Sequence, residues 1–250
     1  PYRITLKKEG VGETSFDFNI QELDRLAKPP EFKLLPPRTV AAPPPPGSGL
    51  APAAGSPAVD PTKVAADINA AMALSREGKT DEAIAAYETL LAGTPGIPLV
   101  HYNLGTAYQK KGDAAKAEAA MRRSFELDPL FVDGYVGLAT VLAEAGKRDE
   151  AIEVVRQGAA ANERSGRLQY ALGVLAEGKG DAATAKQAFL KAEELDPQNV
   201  ETQYHLATVA LNMNDKAEAI ARLEKFVATA PAGTPNVDVA KSLILALQKK

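Results

Sequence analysis

The sequence predicts an all-α protein, a solenoid of helix–turn–helix repeats that follows a short β-hairpin and a Pro-rich linker. Its composition favours helices, because 46 of the 250 residues are Ala, only 6% are aromatic and Trp is absent. Ala has the highest helix propensity, and its small side chain lets helices approach closely. From Val64 onward the sequence repeats every 34 residues without insertion or deletion. Periods of this length are typical of repeat architectures.

Residues 1–28 are the segment with strand character. Tyr2–Lys7 and Ser15–Ile20 alternate polar and apolar residues around the turn-rich link Gly10–Glu13, which predicts a β-hairpin. A lone two-stranded hairpin is marginal in water. We therefore expect the hairpin to pack on the rest of the chain, to pair with a neighbouring subunit, or to be the end of a larger β domain. The residues predicted to pair are Tyr2, Ile4, Leu6, Phe16, Phe18 and Ile20.

Residues 29–63 hold eleven of the eighteen prolines, interleaved with Ala, Gly and Ser. Proline lacks an amide hydrogen and favours the extended polyproline II conformation. This composition predicts a semi-rigid or disordered linker. A ligand for an aromatic groove is the alternative interpretation, because Pro-rich tracts also serve that purpose.

Five consecutive units of 34 residues cover 64–233. Position 15 of each unit is Gly in four units and Asn214 in the last, which predicts a left-handed residue that ends the first helix. Position 20 is Ala in all five units, so we expect two helices to cross closely there. Asp113, Asp181 and Asp215 are placed to begin the second helix. Proline at position 32 should end that helix, less sharply in the third unit, where Glu163 replaces it. The units are 64–97, 98–131, 132–165, 166–199 and 200–233.

These columns together resemble the tetratricopeptide repeat (TPR) family, most clearly in Tyr102–Tyr108 and Phe125–Pro129. The resemblance covers five repeats and implies a right-handed superhelix, with 234–250 forming a C-terminal capping helix. It also implies that the first helix of each repeat lines a concave, partner-binding groove through positions 2, 5, 9, 12 and 13. The groove residues so predicted are Ile68, Met72, Arg76, Tyr102, Thr106, Lys110, Val136, Thr140, Tyr170, Val174, Tyr204 and Thr208. A Tyr at position 5 is large and amphipathic, which suits either binding or packing between repeats.

One family ligand is disfavoured. TPR proteins that hold the acidic C-terminal tail of heat-shock chaperones use a clamp of Lys and Asn, then Asn, then Lys and Arg. In the first three repeats only Asn103 matches this pattern, since Ile68, Met72, Asp133 and Gly137 occupy the other positions. We therefore do not expect this chain to bind that tail.

The sequence also disfavours several other function classes. A net charge of −3 supplies no concentrated basic surface for nucleic acid, and no apolar run approaches the roughly 18 residues of a membrane span. There is no Cys, and neither His101 nor His205 has a partner at metal-ligand spacing, so both are interpreted as surface imidazoles. Acidic pairs such as Glu193-Glu194 are interpreted as solvated helix faces. We expect no cofactor and no enzymatic activity.

The leading hypothesis is a scaffold that binds an extended or helical protein segment in its groove. A second hypothesis is self-association, in which the hairpin and the Pro-rich arm pair with a neighbouring subunit. A third is that the chain is an accessory part of a larger bacterial envelope complex. The compartment stays open, with the bacterial periplasm, the envelope or the cell exterior favoured over the cytoplasm.

Overall fold

The computed structural model describes residues 2–8, 12–18 and 60–249. These belong to two separate units, Pro1–Gly55 and Ser56–Lys250. In the first, strands β1 (Tyr2–Lys8) and β2 (Gly12–Phe18) pair antiparallel. Tyr2 pairs with Phe18 and Ile4 with Phe16. Ile20 and most of the predicted linker lie outside the described residues.

The second unit is a row of eleven helices within residues 60–249. Successive pairs α1–α2 to α9–α10 are the five helix–turn–helix units, and α11 follows them. The second helices begin at residues 80, 114, 148, 182 and 216, so the spacing of 34 is kept throughout. The helices are α1 Pro61–Arg76, α2 Thr80–Gly93, α3 Pro98–Lys111, α4 Ala114–Leu127, α5 Val132–Glu144, α6 Arg148–Ala161, α7 Gly166–Lys179, α8 Ala182–Leu195, α9 Glu201–Asn212, α10 Lys216–Thr229 and α11 Val237–Gln248.

Helix α1 begins three residues before the predicted first repeat, inside the predicted linker. The Asp60 side chain accepts a hydrogen bond from the Thr62 amide at 2.9 Å, and Pro61 occupies the first turn. An Asp cap followed by Pro starts a helix efficiently, because the carboxylate satisfies a free amide and proline presets the backbone angle. This local signal extends the helix beyond the repeat.

The turn within each unit has the predicted geometry. Gly78, Gly112, Gly146 and Gly180 have φ between 77° and 84°, and Asn214 has φ 60°. This left-handed region costs Gly little and is tolerated by Asn. The next residue starts the second helix in three units, where the Asp113, Asp181 and Asp215 carboxylates each accept a bond from an amide three residues on.

The expectation of a looser end for α6 is wrong. It ends at Ala161, in register with the other second helices, although Glu163 replaces the usual proline. The Asn162 side chain ends the helix in place of proline. Its amide nitrogen donates to the carbonyls of Gly158 and Pro129, both at 3.1 Å. The Gly158 carbonyl also accepts the Asn162 backbone amide at 2.9 Å, so the first side-chain bond is a second bond to that oxygen. The bond to Pro129 ties the helix end to the preceding repeat.

The core is a thin seam where the two helices of each unit cross. All five alanines at position 20 are fully buried, from Ala83 to Ala219. The residue at position 24, which is always large, fills the space beside them. Where it is Met121 or Phe189, position 8 is Gly rather than Ala. A Cβ at Gly105 would lie 2.6 Å from Met121 Cγ, and one at Gly173 would lie 2.5 Å from Phe189 Cε1. Small and large residues therefore compensate within these two crossings.

The two ends of the row differ. At the C-terminal end α11 packs against α10, with Ala240 fully buried. At the N-terminal end a cavity of about 820 Å³ opens between α1 and α2. Asp67 and Ala70 border it and are exposed. The next repeat has His101 and Leu104 at these positions, in the helix that packs against α2. The exposed side of the first repeat is thus suited to contact with solvent, as a terminal repeat requires.

One member of the acidic pair Glu193-Glu194 does not lie on a solvated face. Glu193 accepts hydrogen bonds from Lys225 (2.6 Å), Arg222 (2.7 Å) and Gln203 (2.9 Å), which join α8 to α9 and α10. Burial alone would raise the pKa of Glu193, but these donors lower it to about 2. The sequence interpretation of Glu193 was therefore wrong, whereas its neighbour Glu194 is largely exposed.

Within the described residues, none of the helices combines the length and apolarity that crossing a bilayer requires.

Candidate functional site

The first helices of the units form one continuous inner wall. Consecutive first helices contact each other along the row, α1 with α3, α3 with α5, α5 with α7 and α7 with α9. The second helices mainly contact the first helices on either side of them. Elements on the inside of a curved stack lie closer together than those outside, so the first helices line the concave side. We call the surface formed by positions 2, 5, 9, 12 and 13 of these helices the groove.

The three tyrosines at position 5 are half-buried, because each ring also packs within the solenoid. Tyr102 Cε2 lies 3.0 Å from the point where a Cβ on Gly137 would be, one repeat further on. Tyr170 is edge-on to Phe189 and to His205, at 5.7 and 5.4 Å between ring centroids. The tyrosine rings thus contribute to packing between repeats.

The hydroxyls of these tyrosines have no hydrogen-bond partner among the described residues. Within residues 60–249, those of Tyr102, Tyr170 and Tyr204 form none of the hydrogen bonds found, and none is a buried unsatisfied atom. Two core tyrosines differ, since Tyr87 bonds to Ser75 at 3.3 Å and Tyr108 donates to Glu88. Three polar tips in one column are therefore presented to the groove.

Two of the three threonines at position 9 use their donors inside the helix. Thr106 donates to the Tyr102 carbonyl at 3.1 Å, and Thr140 donates to the Val136 carbonyl at 2.9 Å. Their oxygens can accept a bond but have no second hydrogen to donate. The fourth residue of this column, Val174, is 38% exposed.

The structure adds an apolar groove residue that was not predicted. Leu99 stands at position 2 of the second repeat and is 39% exposed. Its column reads Ala65, Leu99, Asp133, Arg167 and Glu201. The residues of this column share no property, so repeat periodicity does not mark Leu99. Position 2 is one of the family groove positions, and Leu99 could have been included on that ground.

His205 is not the isolated surface imidazole expected from sequence. Its ring stacks on Phe189 with 5.0 Å between centroids and an angle of 16°. Its Nδ1 lies 2.7 Å from a carboxylate oxygen of Glu177 in the preceding repeat. Thr208 donates to the other oxygen of Glu177. Burial alone would raise the pKa of Glu177, but the bonds from His205 and Thr208 hold it below its ordinary value.

Tyr170 completes this cluster, which we call the aromatic–acidic cluster (Tyr170, Glu177, Glu201, Tyr204, His205). Burial raises the pKa of the Tyr170 hydroxyl to about 12, with further contributions from the charges of Glu201 and Glu177. Glu201 lies one helical turn before His205 on α9, and Glu177 lies two turns after Tyr170 on α7. Two carboxylates therefore flank aromatic rings at the junction of the fourth and fifth repeats.

Charges along the groove are unevenly distributed. Arg76 and Lys110, in the first two repeats, are exposed and form none of the ion pairs found among residues 60–249. Arg167, in the fourth repeat, is paired with Asp133 in the third. Glu144 accepts a bond from Gln109 at 2.8 Å. Unpaired positive charge thus lies at one end, and carboxylates lie along the rest.

No set of three or more His, Asp or Glu side chains in the described part of the chain is placed to hold a metal ion. His101 is bonded through Nε2 to the Pro95 carbonyl at 2.9 Å, at the helix start rather than in the groove.

The chain belongs to the tetratricopeptide repeat family. One tetratricopeptide repeat model matches residues 68–130 and 136–200, more than half of the chain, and a second matches 176–243. The cellulose synthase operon protein C of Pseudomonas fluorescens is 27% identical over 168 residues. That match covers 62% of this chain but 13% of the relative, so the chain spans only a small part of that protein.

Solved structures share the fold. TTC0263, a TPR protein of Thermus thermophilus, aligns with a TM-score of 0.58 and 22% identity, over 73% of this chain and 99% of its own. YrrB, described as a TPR protein with an unusual peptide-binding site, aligns with a TM-score of 0.54 and 20% identity, over 74% and 91% of the two chains. The all-α repeat architecture predicted from sequence is confirmed.

Proposed function

We propose that this protein is a non-enzymatic scaffold that binds a segment of a partner protein in the groove. The TPR fold supports the general role of a protein-interaction scaffold. The observation that carries the groove assignment is the column of free hydroxyls on Tyr102, Tyr170 and Tyr204 beside the exposed apolar side chains of Leu99 and Val174. Half-buried amphipathic rings with free polar tips suit recognition of an extended or helical segment.

The binding mode follows from these side chains. Apolar side chains of the partner would be buried against Leu99, Val136 and Val174, and the tyrosine hydroxyls would bond its backbone. Because Thr106 and Thr140 already donate within α3 and α5, they would accept bonds only. The peptide-binding site mentioned in the description of YrrB is compatible with this mode. No residue of that site is matched to a residue of this chain.

The acidic chaperone tail is an unsuitable ligand in this proposal. Asn103, the only residue matching the family clamp, has its amide nitrogen buried and without a hydrogen-bond partner among the described residues. It is therefore not available to a ligand carboxylate. Position 2 of the third repeat, where the clamp has Lys, carries Asp133, which is paired with Arg167 and offers no cation to that carboxylate.

The relative encoded in a cellulose synthase operon suggests a setting for the scaffold. A match to a small part of a much longer protein is compatible with repeats that work within a larger assembly, including an envelope complex. The groove mechanism does not depend on this setting.

Photo-crosslinking tests the groove assignment directly. Benzoylphenylalanine at Thr140 or Val174 should yield covalent adducts that map to one contiguous segment of one partner protein. The matched control is Gln157, exposed on the second helix α6. Equal adducts from Gln157, or none from the groove sites, would contradict the assignment. Adducts to the chain itself would assign the groove to self-association.

A triple Tyr→Phe variant at 102, 170 and 204 tests the hydroxyls while keeping the rings that pack between repeats. Each lost hydrogen bond is worth about 0.5–1.5 kcal/mol, so affinity for the crosslinked segment should fall at least about tenfold. Helicity by circular dichroism should stay unchanged. Unchanged affinity would remove the hydroxyls from the mechanism.

Self-association through the hairpin is the second candidate function. Strands β1 and β2 form a two-stranded sheet, and within the described residues no third strand joins it. Open strand edges can pair with another chain. Removing residues 1–28 and measuring mass by light scattering tests this, and an unaltered mass rules it out.

A further inference from the structure

The groove carries basic residues at its N-terminal end and mainly acidic residues toward its C-terminal end, an order that we call its charge direction. Its 25 positions include two basic residues and no acidic residue in the first two repeats, namely Arg76 and Lys110. The last three repeats carry four acidic residues and one basic residue, Arg167, which is paired with Asp133. Neighbouring helices pack about 10 Å apart, so the two ends of the groove are separated by more than the Debye length of about 8 Å at physiological ionic strength. Each end therefore acts on a ligand independently.

The acidic end is also chemically specific, because it is built around aromatic rings. The aromatic–acidic cluster places the half-buried ring of Tyr170 5.4 Å from His205, which holds Glu177 at 2.7 Å. Glu201 lies one turn before His205 on the same helix. A cation above an aromatic ring is attracted by its π face, and flanking carboxylates add ionic hydrogen bonds.

Competing cations near this cluster are already engaged. Arg167, one turn before Tyr170 on α7, is paired with Asp133. Arg222 bonds to Glu193 at 2.7 Å, and Lys186 pairs with Glu218. Glu201 forms none of the ion pairs found among residues 60–249. The cluster thus retains negative charge that an external cation can neutralise.

We propose that the groove binds a protein segment of asymmetric charge, whose Lys or Arg side chain packs on Tyr170 between Glu177 and Glu201 and whose carboxylates lie against Arg76 and Lys110. This inference rests on the proposed groove function and adds to it the chemistry and the orientation of the ligand. Opposite charges at the two ends fix which way the segment runs, because the reversed segment would meet like charges at both ends.

Selection from a random library of displayed dodecapeptides on the purified full chain tests the proposal and requires no identified partner. The enriched pool should concentrate Lys and Arg toward one end and Asp and Glu toward the other, by about threefold over the starting library, as expected for solvent-accessible ion pairs. In Glu201→Lys the basic preference should disappear. Glu153→Lys, the same change at an exposed residue of α6, should keep it.

The outcomes separate the two proposals. One outcome is that the enriched peptides fail to bind the Val174→Arg variant but show no charge order. That result would overturn the charge direction and leave the groove function standing. A library that yields no enriched peptide contradicts groove binding and this inference together. Retention of the basic preference in Glu201→Lys also overturns the assigned cation site. For the best peptide, exchanging its basic and acidic ends should weaken binding about tenfold by fluorescence anisotropy, and an unchanged affinity would overturn the orientation.

Discussion

Gly173 lies directly beneath the ring of Phe189, so close that a Cβ at Gly173 would stand 2.5 Å from Cε1 of that ring and 2.8 Å from Cγ. The two residues come from the two helices of one repeat, α7 and α8. Phe189 is fully buried and is enclosed further by His205, whose ring stacks on it. The ring therefore has little room to move away from an added methyl group.

Gly173→Ala should destabilise the protein by about 1–3 kcal/mol, because overpacking a fixed ring outweighs the gain in helix propensity. Urea unfolding followed by circular dichroism measures the change. Gly178→Ala in the same helix is the control, since its Cβ would meet only Arg148 Nε at 3.7 Å. That variant should be more stable by up to about 1 kcal/mol. Equal effects of the two substitutions would contradict the close crossing.

Glu163→Pro should leave stability unchanged or raise it by up to about 1 kcal/mol. The preceding residue, Asn162, has φ −127° and ψ 64°. These angles resemble those of Thr94, Asp128 and Asp196, each of which precedes a proline in its own repeat. The backbone of Asn162 therefore already has a conformation that suits a following proline. Thermal unfolding measures the change in stability.

In the same thermal unfolding experiment, Asn162→Ala should lower stability by about 1 kcal/mol. It removes the bonds to the Gly158 and Pro129 carbonyls that stop the helix in the absence of proline. If Asn162→Ala proves neutral while Glu163→Pro is strongly stabilising, the side chain of Asn162 is not what ends α6.

Acid should weaken the junction of α8, α9 and α10 through Glu193. Its pKa is lowered from 4.5 to about 2 in the folded protein. A carboxylate with a depressed folded pKa contributes stability above its unfolded pKa, and the contribution is lost as pH falls through the folded value. The loss should therefore develop between about pH 4.5 and pH 2. After allowing for partial solvent screening we expect about 1–2 kcal/mol.

Glu193→Gln checks this in urea titrations at several pH values. The difference from the wild type should be about 1–2 kcal/mol at pH 7 and should shrink toward pH 2. The control is Glu194→Gln, since Glu194 is 67% exposed and its one ion pair within residues 60–249 is with Lys191. A difference that does not vary with pH would remove Glu193 from the acid response.

Gly180→Ala should cost about 1 kcal/mol, because the residue has φ 81° and Ala is strained in the left-handed region. A Cβ there meets nothing within 4 Å, so backbone conformation is the only penalty. Asn214→Gly, at the equivalent position of the last repeat, should be neutral or slightly stabilising. Thermal melts of the two variants compare them, and a tolerated Gly180→Ala would mean that the turn can change conformation.

The features that were predicted correctly are those that recur along the repeats. The Gly or Asn column at position 15 and the Ala column at position 20 are required by the backbone path of one repeat, so they reappear every 34 residues. The Asp caps recur in three of the five repeats. Glu163 shows the limit of this reasoning. The missing proline was visible, but the substitute stop supplied by Asn162 acts through a side-chain bond to the preceding repeat.

The aromatic–acidic cluster and the Glu193 network were missed for a related reason. Glu177 bonds to His205, 28 residues away, and Glu193 bonds to Arg222, 29 residues away, so both contacts cross between repeats. The column of Glu177 reads Ser75, Gln109, Ala143, Glu177 and Leu211. A contact made once in five repeats leaves no periodic signal. Glu177 and Glu201 occupy positions 12 and 2, which are family groove positions, but those positions alone do not show that the two residues form a cluster.

The modified first repeat has a mechanical consequence. Contacts in the helical unit run mainly within one repeat or between adjacent repeats, so tension applied at its two ends would pass through every junction in series. Asp67 and Ala70 leave α1 supported mainly by α2, whereas α11 closes the opposite end. Fraying under load should therefore start at α1 and proceed toward the C-terminus. The basic end of the groove would be lost first, and the acidic end would keep its hold on a ligand longest.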